Sequence, residues 1–163
     1  MSRSDPGWGH LSGALEIATD APEPDSAAVA ERVLMADRAH RYGWAFDERR
    51  PDLLAECFTV DATWSARLRD GTAIGPFTGR EAIVDYMSGF WLGQADQRRH
   101  MIMNMIVEDQ RPDAATVLTY LLLMSAHDDA LEPITCGFYR LTMARDEGTW
   151  RIRALLGGFD VPF

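Results

Sequence analysis

Arg98-Arg99-His100-Met101-Ile102-Met103-Asn104-Met105-Ile106-Val107 is the stretch that decides the fold of this chain. Successive residues of a strand point to opposite faces, so His100 and Asn104 share one face with two isoleucines. The other face carries three methionines and a valine, and the pattern predicts that both faces are buried. A buried polar side chain without a partner costs roughly 1–3 kcal/mol. We therefore expect a hydrogen-bond network, or a ligand in a pocket, beside His100 and Asn104.

The composition indicates one acidic domain. The chain has 163 residues, a formal net charge of −9 and 47% hydrophobic residues, which suits a single domain with a substantial core. The negative charge argues against nucleic acid and anionic membranes as partners. No apolar run reaches the ~20 residues that cross a bilayer, and no signal segment begins the chain. We expect a cytoplasmic protein with Cys57 and Cys136 as reduced, buried thiols.

The N-terminal third of the chain predicts a tail followed by a helix. Residues 1–25 are rich in Gly, Pro, Ser and acidic residues, which predicts a flexible N-terminal tail before a domain over residues 26–163. Asp25 or Ser26 can cap a helix that runs from Ala27 to about Phe46. The residues that follow at helical spacing are Val29, Val33, Leu34, Ala36, Asp37, His40, Arg41, Trp44 and Ala45.

The rest of the chain predicts an α+β domain. Pro51 begins a short second helix, Asp70-Gly71 is a hairpin signal, and a third helix opens at Gly79. Long strands then follow one another, an order typical of the α+β class. The predicted strands are residues 61–68, 73–77, 98–107, 115–125, 134–144 and 149–156.

Short motifs in a fixed order carry a family resemblance. They are Tyr42-x4-Asp47, Leu54-x3-Phe58-x2-Asp61-Ala62, Gly79-Arg80-Glu81-Ala82-Ile83, Arg99-His100-x3-Asn104, Gly137-x-Tyr139 and Gly148-x-Trp150-Arg151-Ile152. With this order and spacing, residues 28–157 resemble the SnoaL-like branch of the nuclear transport factor 2-like superfamily. The resemblance implies a cone-shaped barrel, in which a curved, mixed, mostly antiparallel sheet wraps around three N-terminal helices. A ligand pocket is implied in the open end of the cone.

The family hosts several chemistries, so the implied function depends on individual positions. Tyr42 falls at the helix tyrosine of ketosteroid isomerase, whereas Ala66 and Gly137 stand where that enzyme has its two aspartates. Tyr42 and His100 both fall at the helix tyrosine and strand histidine of scytalone dehydratase and related bile-acid dehydratases. Leu121 stands near the place of a second polar residue in those enzymes. The resemblance thus implies an elimination driven by Tyr42 and His100.

Four polar residues are candidates for catalysis or ligand positioning. His100 is either a general acid–base, since imidazole titrates near neutral pH, or a core histidine bonded to a carbonyl group. Tyr42 is either an oxyanion donor or a packing residue. Asp47, expected just past the helix, either orients one of these two or anchors the turn, and Asn104 either positions substrate or is structural.

Aromatic and basic residues complete the set of candidates. Arg98 and Arg99 are expected at a rim or an interface, or holding a substrate carboxylate or phenolate. The aromatic residues that either pack the cone or line its pocket as substrate-binding residues are Trp64, Phe90, Trp91, Tyr120 and Tyr139.

Together these candidates predict a cofactor-independent acid–base enzyme, a lyase of the dehydratase type or an isomerase or cyclase. Its substrate would be an apolar, oxygenated small molecule such as a polyketide, terpenoid or steroid-like compound of secondary metabolism. The sequence holds no metal-ligand spacing and no phosphate-binding loop, so we expect neither a metal nor a cofactor. The alternative is a non-catalytic binding module or an accessory subunit resembling the β chain of ring-hydroxylating dioxygenases. The resemblance also implies a homodimer or homotrimer.

Overall fold

The computed structural model describes residues 6–20 and 22–163 and has one six-stranded sheet. The strand order is β2-β1-β6-β5-β4-β3, with β1 and β6 parallel and the other neighbours antiparallel. The sheet is mixed and does not close, so the α+β prediction is confirmed with an open cone. The elements are α1 (Trp8–Leu11), α2 (Ser26–Asp47), α3 (Pro51–Glu56), β1 (Phe58–Leu68), β2 (Ala73–Thr78), α4 (Arg80–Trp91), β3 (Gln97–Glu108), β4 (Ala114–His127), β5 (Ala130–Asp146) and β6 (Thr149–Phe159).

Helix α2 begins where the sequence predicts but buries a different face. The Asp25 carboxylate accepts a hydrogen bond from the Ala28 N–H at 2.8 Å and caps the helix. Val33 and Trp44, which the sequence places at helical spacing on one stripe, are 63% and 67% exposed. The helix instead meets the sheet through small residues, because a side chain at Gly43 would crowd the strand beside it. The buried residues of α2 are Met35, Ala39, Tyr42, Gly43, Ala45, Phe46 and Asp47.

The core lies between α2, α4 and the inner face of the sheet. Its largest fully buried side chains include Phe58, Ile83, Leu141, Ile152 and Leu155, which come from β1, α4, β5 and β6. Burial of one such side chain contributes about 1.5–3 kcal/mol. Within the described ranges, no helix has the length and apolar character required to span a membrane.

Part of the predicted tail packs against the outer face of the sheet. Trp8 is buried, its ring lies 5.4 Å from that of Phe138 between centroids, and its indole donates to Asp160 at 2.5 Å. Residues 1–5 and 21 of the predicted tail lie outside the described residues. A domain boundary at residue 26 stays a prediction.

Strand β3 breaks the strict alternation that the sequence suggests. Its pairing with β4 shifts register between Met103 and Ile106, and Asn104 has a positive φ of 54°. These are the features of a β-bulge, in which an extra residue reverses the alternation of faces. Asn104 is exposed while His100 is directed inward, so the prediction that they share a face is wrong.

The outer face of β3 and β4 is exposed in the part of the chain that the structure describes. Met101 and Met103 are 43% and 39% exposed, and Tyr120 is 55% exposed. The prediction that both faces of β3 are buried is therefore wrong, because only the inner face meets α2. Association into a homodimer or homotrimer stays a prediction.

The two free cysteines differ in burial. Cys57 is buried at the end of α3, and its thiol donates to the Leu53 carbonyl oxygen at 3.3 Å. Cys136 is exposed on β5, where its Sγ lies 3.4 Å from the Asp160 carboxylate. The prediction of buried thiols is thus confirmed for Cys57 and wrong for Cys136.

Candidate active site

A cavity of about 540 Å³ lies between α2, α4 and the inner face of the sheet. Volumes of about 300–1,000 Å³ are typical of small-molecule sites. Its polar buried wall is formed by Tyr42, Trp64, His100 and Tyr139, and the exposed edge, called the rim below, includes Gln94, Asp96, Arg98, His127 and Asp128. The apolar lining is Phe46, Met87, Phe90, Leu121, Leu123, Phe159 and Phe163.

Asp47 holds His100 through two hydrogen bonds. The Asp47 Oδ1 lies 2.6 Å from the His100 Nδ1, and its Oδ2 accepts from the His100 backbone N–H at 2.7 Å. Both side chains are only 6% exposed. An ionised carboxylate only accepts hydrogen bonds, so Nδ1 must carry the proton in this contact. In its neutral form the imidazole then carries an unprotonated Nε2 on the side of the ring away from Asp47.

The position of Asp47 in the helix is unfavourable by itself. Asp47 is the last residue of α2, where the negative end of the helix dipole disfavours an acidic side chain by about 0.3–1 kcal/mol. The sequence placed Asp47 beyond the helix and offered a turn-anchoring role, and the position is wrong by one residue. The turn closes without its side chain, since the Glu48 N–H donates to the Trp44 carbonyl oxygen at 3.0 Å.

Further contacts fix the start of β3 against the end of α2. The Gln97 side chain donates to the backbone carbonyl oxygens of Asp47 and Arg98, at 3.0 and 2.9 Å. Arg99 forms an ion pair with Glu48 at 2.9 Å, outside the cavity. These contacts hold the two elements that carry Asp47 and His100 in one relative position.

Tyr42 and Tyr139 form a buried pair of phenols. Their ring centroids lie 5.8 Å apart. Burial raises the pKa of Tyr42, an effect that hydrogen bonding with Trp64 and Tyr139 partly opposes. Burial and the nearby Tyr42 raise the pKa of Tyr139 well above its ordinary value. Each neutral hydroxyl can both donate and accept, so either phenol can donate to the other's oxygen.

When Tyr139 donates to the Tyr42 oxygen, the Tyr42 hydroxyl proton is left for a ligand in the cavity. The Tyr42 and His100 rings are 6.3 Å apart between centroids, and both line the cavity. Phe46 packs edge-on against the imidazole at 4.9 Å and limits its movement. A ligand in the cavity can therefore reach a neutral phenol donor and an imidazole nitrogen at the same time.

A charged pair marks the rim. Arg98 Nε lies 2.5 Å from the Asp96 Oδ2, and the Ser125 hydroxyl donates to the same carboxylate. Burial opposes ionisation of Asp96, but these two hydrogen bonds outweigh it and lower the pKa of Asp96. Arg98 thus lies at the rim, one of its predicted places, with one edge of its guanidinium already paired. Across the described ranges, no group of three His, Cys, Asp or Glu side chains is arranged to hold a metal ion.

The structure brings together only some of the predicted site residues. His100, Tyr42, Trp64, Phe90 and Tyr139 line the cavity, and Asp47 contacts it through His100. The predicted residues outside the lining are Asn104, on the bulge, Tyr120, on the outer face, and Trp91, whose ring packs behind Phe46 at 5.8 Å.

Sequence reasoning did not assign several lining residues to the site. Leu121 and Leu123 alternate on β4, so period-two spacing carries a usable signal for them. Asp96 lies in the loop before β3, and Phe163 lies beyond β6. Neither residue belongs to a periodic element, so spacing holds no signal for them.

Comparisons with known proteins agree with this fold. A family model described as the SnoaL-like domain matches residues 27–155. One similar solved structure is the beta subunit of a candidate aromatic-ring-hydroxylating dioxygenase from Novosphingobium aromaticivorans, with 15% identity over 85% of this chain and 94% of that chain and a TM-score of 0.74. No curated protein matches the chain by sequence.

Two further solved structures resemble the chain. A Catenulispora acidiphila protein in complex with S-DNPA has 23% identity over 81% of this chain and 95% of that chain, with a TM-score of 0.70. Aln2 from a Streptomyces species has 24% identity over 86% of this chain and 95% of that chain, with a TM-score of 0.68. Identities this low establish a shared fold alone. Because the family model spans most of the chain, the protein belongs to the SnoaL-like domain family of the nuclear transport factor 2-like superfamily.

Proposed function

We propose that this protein is a cofactor-independent acid–base enzyme that dehydrates, cyclises or isomerises an apolar, oxygenated small molecule. The observation that carries the proposal is the Asp47–His100 pair at the wall of a ligand-sized cavity that Tyr42 also lines. Family membership supports it at a coarser level, since the SnoaL-like family includes polyketide cyclases.

The proposed chemistry moves one proton at a carbon next to a carbonyl group. His100 Nε2 takes the proton from that carbon, and the electron pair moves onto the carbonyl oxygen as an enolate. Tyr42 donates a hydrogen bond to that oxygen, and Asp47 stabilises the imidazolium. The imidazolium then returns its proton, either to a departing hydroxyl group, which completes a dehydration, or to another carbon, which completes an isomerisation.

The lining of the cavity supports an apolar substrate with few polar groups. Seven aliphatic and aromatic side chains line it, whereas polar groups lie at the buried wall and at the rim. Such a lining binds a hydrocarbon skeleton by burial and reads its oxygens by a few directed contacts. A ketone with fused rings has this form, and we use 1-tetralone as a probe of the class.

Exchange of carbon-bound protons in ²H₂O tests the proposal without knowledge of the natural substrate. Ketones of the tetralone class that bind the protein, as judged by NMR line broadening, should exchange their α-protons faster with the protein than without it. General acid–base catalysis contributes roughly 10²–10⁴-fold, so His100→Gln should lower the catalysed rate by about that factor. His40→Gln, an exposed histidine on α2, is the matched control and should leave the rate unchanged.

The alternative is a non-catalytic subunit, and the likeness in fold to a dioxygenase beta subunit favours it as the second candidate. In that case the cavity binds ketones but does not exchange their protons. Binding without exchange in the wild-type protein would therefore exclude the acid–base proposal and retain the binding module.

A further inference from the structure

Strand β3 carries two adjacent arginines that the structure places in different surroundings. Arg98 lines the cavity, whereas Arg99 pairs with Glu48 outside it. Arg98 stands two residues before His100, and both precede the bulge of β3, so their side chains share the inner face of the sheet. Two residues along a strand span about 6.5 Å. A guanidinium group therefore belongs to the same wall as the His100 imidazole, at the rim.

Asp96 holds one part of the Arg98 guanidinium. The Asp96 Oδ2 lies 2.5 Å from the Arg98 Nε, a buried atom, and it also accepts from Ser125, which faces Arg98 across the ladder of β3 and β4. The Arg98 side chain is nevertheless 25% exposed. Its Nη1 and Nη2 have no hydrogen-bond partner of standard geometry among the described residues. The guanidinium is thus fixed at Nε and keeps its terminal donors for a ligand.

The other charges near the rim do not attract an anion. Asp96 partly neutralises Arg98, His127 lies 3.6 Å from Glu132, and the Asp128 side chain is 100% exposed, so that water and salt screen it. The whole chain has a formal net charge of −9, which repels anions at long range. A preference for an anionic ligand in this cavity therefore requires directed hydrogen bonds from Arg98.

We infer that the Nη1 and Nη2 donors of Arg98 bind a carboxylate of the substrate, so that the substrate is an apolar keto acid with its carboxylate at the rim. The planar fork of a guanidinium matches the two oxygens of a carboxylate and binds them with parallel hydrogen bonds. This inference deepens the proposed function and rests on it only for the ketone end of the substrate, beside His100. Arg98 then determines specificity and orients the skeleton along the cavity.

The test compares the dissociation constants of 1-tetralone-6-carboxylate and its methyl ester. The two compounds share a ring skeleton, with the ketone and the carboxyl group at opposite ends, and differ in charge near neutral pH. An exposed ion pair contributes up to about 5-fold in affinity, and a hydrogen bond to a charged group at least about 12-fold. Because Arg98 is half-buried, wild-type protein should prefer the carboxylate by about 5–12-fold. An equal affinity for both, or a preference for the ester, would overturn the inference.

Arg98→Gln and Arg99→Gln are matched variants that each remove one positive charge from adjacent positions of β3. Arg98→Gln should abolish the preference for the carboxylate, whereas Arg99→Gln should retain it, because Arg99 lies outside the cavity. An unchanged preference in Arg98→Gln, or an equal loss in both variants, would contradict the inference. If Arg98→Gln does not fold, Arg98→Lys decides. A lysine lacks the planar fork, so the preference should fall by at least about half, and an unchanged value would refute a bidentate contact.

The enzymatic proposal and the carboxylate site fail separately. A preference for the carboxylate that depends on Arg98, without α-proton exchange, would refute the enzymatic proposal and support the carboxylate site. Exchange that depends on His100, without a preference for the carboxylate over the ester, would refute the carboxylate site and support the enzyme.

Discussion

Asp47→Asn replaces one carboxylate oxygen of the candidate site by an NH₂ group and keeps the shape of the side chain. In the wild-type protein the carboxylate accepts from the His100 backbone N–H at 2.7 Å and from Nδ1 at 2.6 Å. The asparagine oxygen can still accept from the backbone. Its NH₂ group then faces Nδ1, and because two donors cannot pair, the imidazole must place its proton on Nε2. Nε2, the nitrogen that we propose as the base, would change from an acceptor to a donor.

The expected losses of stability and of catalytic rate both follow from this exchange of hydrogen-bond partners. A hydrogen bond to a charged group contributes about 1.5–3 kcal/mol and a neutral one about 0.5–1.5 kcal/mol. Two such replacements at a buried site predict a loss of about 1–3 kcal/mol of unfolding free energy. For a chain of this size, each kcal/mol lowers Tm by about 2–4 °C. Loss of the base predicts an α-proton exchange rate about 10²–10⁴-fold lower.

Three measurements and one control make this prediction specific. Thermal melts report stability, α-proton exchange of a bound ketone reports function, and long-range ¹H–¹⁵N correlation of the neutral histidine ring reports which nitrogen carries the proton. Asp37→Asn is the matched control, because Asp37 lies on the same helix in an exposed ion pair with Arg41. Such surface pairs contribute little to stability, so Tm, exchange rate and ring tautomer should all stay unchanged.

A particular result would refute the reasoning. If Asp47→Asn kept the wild-type exchange rate while its His100 ring moved to the Nε2-protonated form, Nε2 would not be the base. If the neutral wild-type ring already carried its proton on Nε2, Asp47 would not set the tautomer at all.

Three further predictions concern the phenols and two glycines. The pKa of both Tyr42 and Tyr139 is raised in the folded state. The free energy of unfolding should therefore be constant below the unfolded pKa of about 10 and fall above it by up to ~1.4 kcal/mol per pH unit for each phenol. Urea midpoints measured up to about pH 11 should fall less steeply with pH in Tyr42→Phe than in the wild-type protein, and equal slopes would contradict this. Gly43→Ala gains about 0.5–1 kcal/mol of helix propensity but places a Cβ 3.1 Å from the His100 Cβ. Tm should therefore change little while α-proton exchange slows. An unchanged exchange rate would show that β3 moves away without disturbing His100. Gly137→Ala should lower the free energy of unfolding by more than about 3 kcal/mol. Gly137 has a φ of +156°, and the new Cβ would overlap a carbonyl oxygen of β6. A Tm near that of the wild-type protein would show that β5 and β6 separate easily at this point.

The element order and the polar centre of the site were predictable from the sequence. Strand alternation drew attention to His100, and the family resemblance joined it to Tyr42 and Asp47, which are distant from it along the chain. The structure places all three within one arrangement. Short motifs in a fixed order carried this information because they record which elements meet in the fold.

What failed depended on local geometry that spacing does not encode. The bulge at Asn104 reverses the faces of β3. Asn is a residue type that tolerates a positive φ, but a single Asn in a strand pattern does not by itself predict a bulge. On α2 the small residues Ala39 and Gly43 face the sheet, since close approach of the strand there outweighs burial of Val33. A hydrophobicity pattern instead predicts burial for Val33 before the small residues Ala39 and Gly43.

The central claim is that a ligand in this cavity meets the His100 base and the Tyr42 donor together, and a crystal structure with bound 1-tetralone tests it most directly. We predict the ketone oxygen within about 2.6–3.2 Å of the Tyr42 hydroxyl, and the α-carbon about 3–3.5 Å from the His100 Nε2. A ketone bound elsewhere, a cavity filled by its own side chains, or an Nε2 bonded to the protein and turned from the ligand would contradict the account.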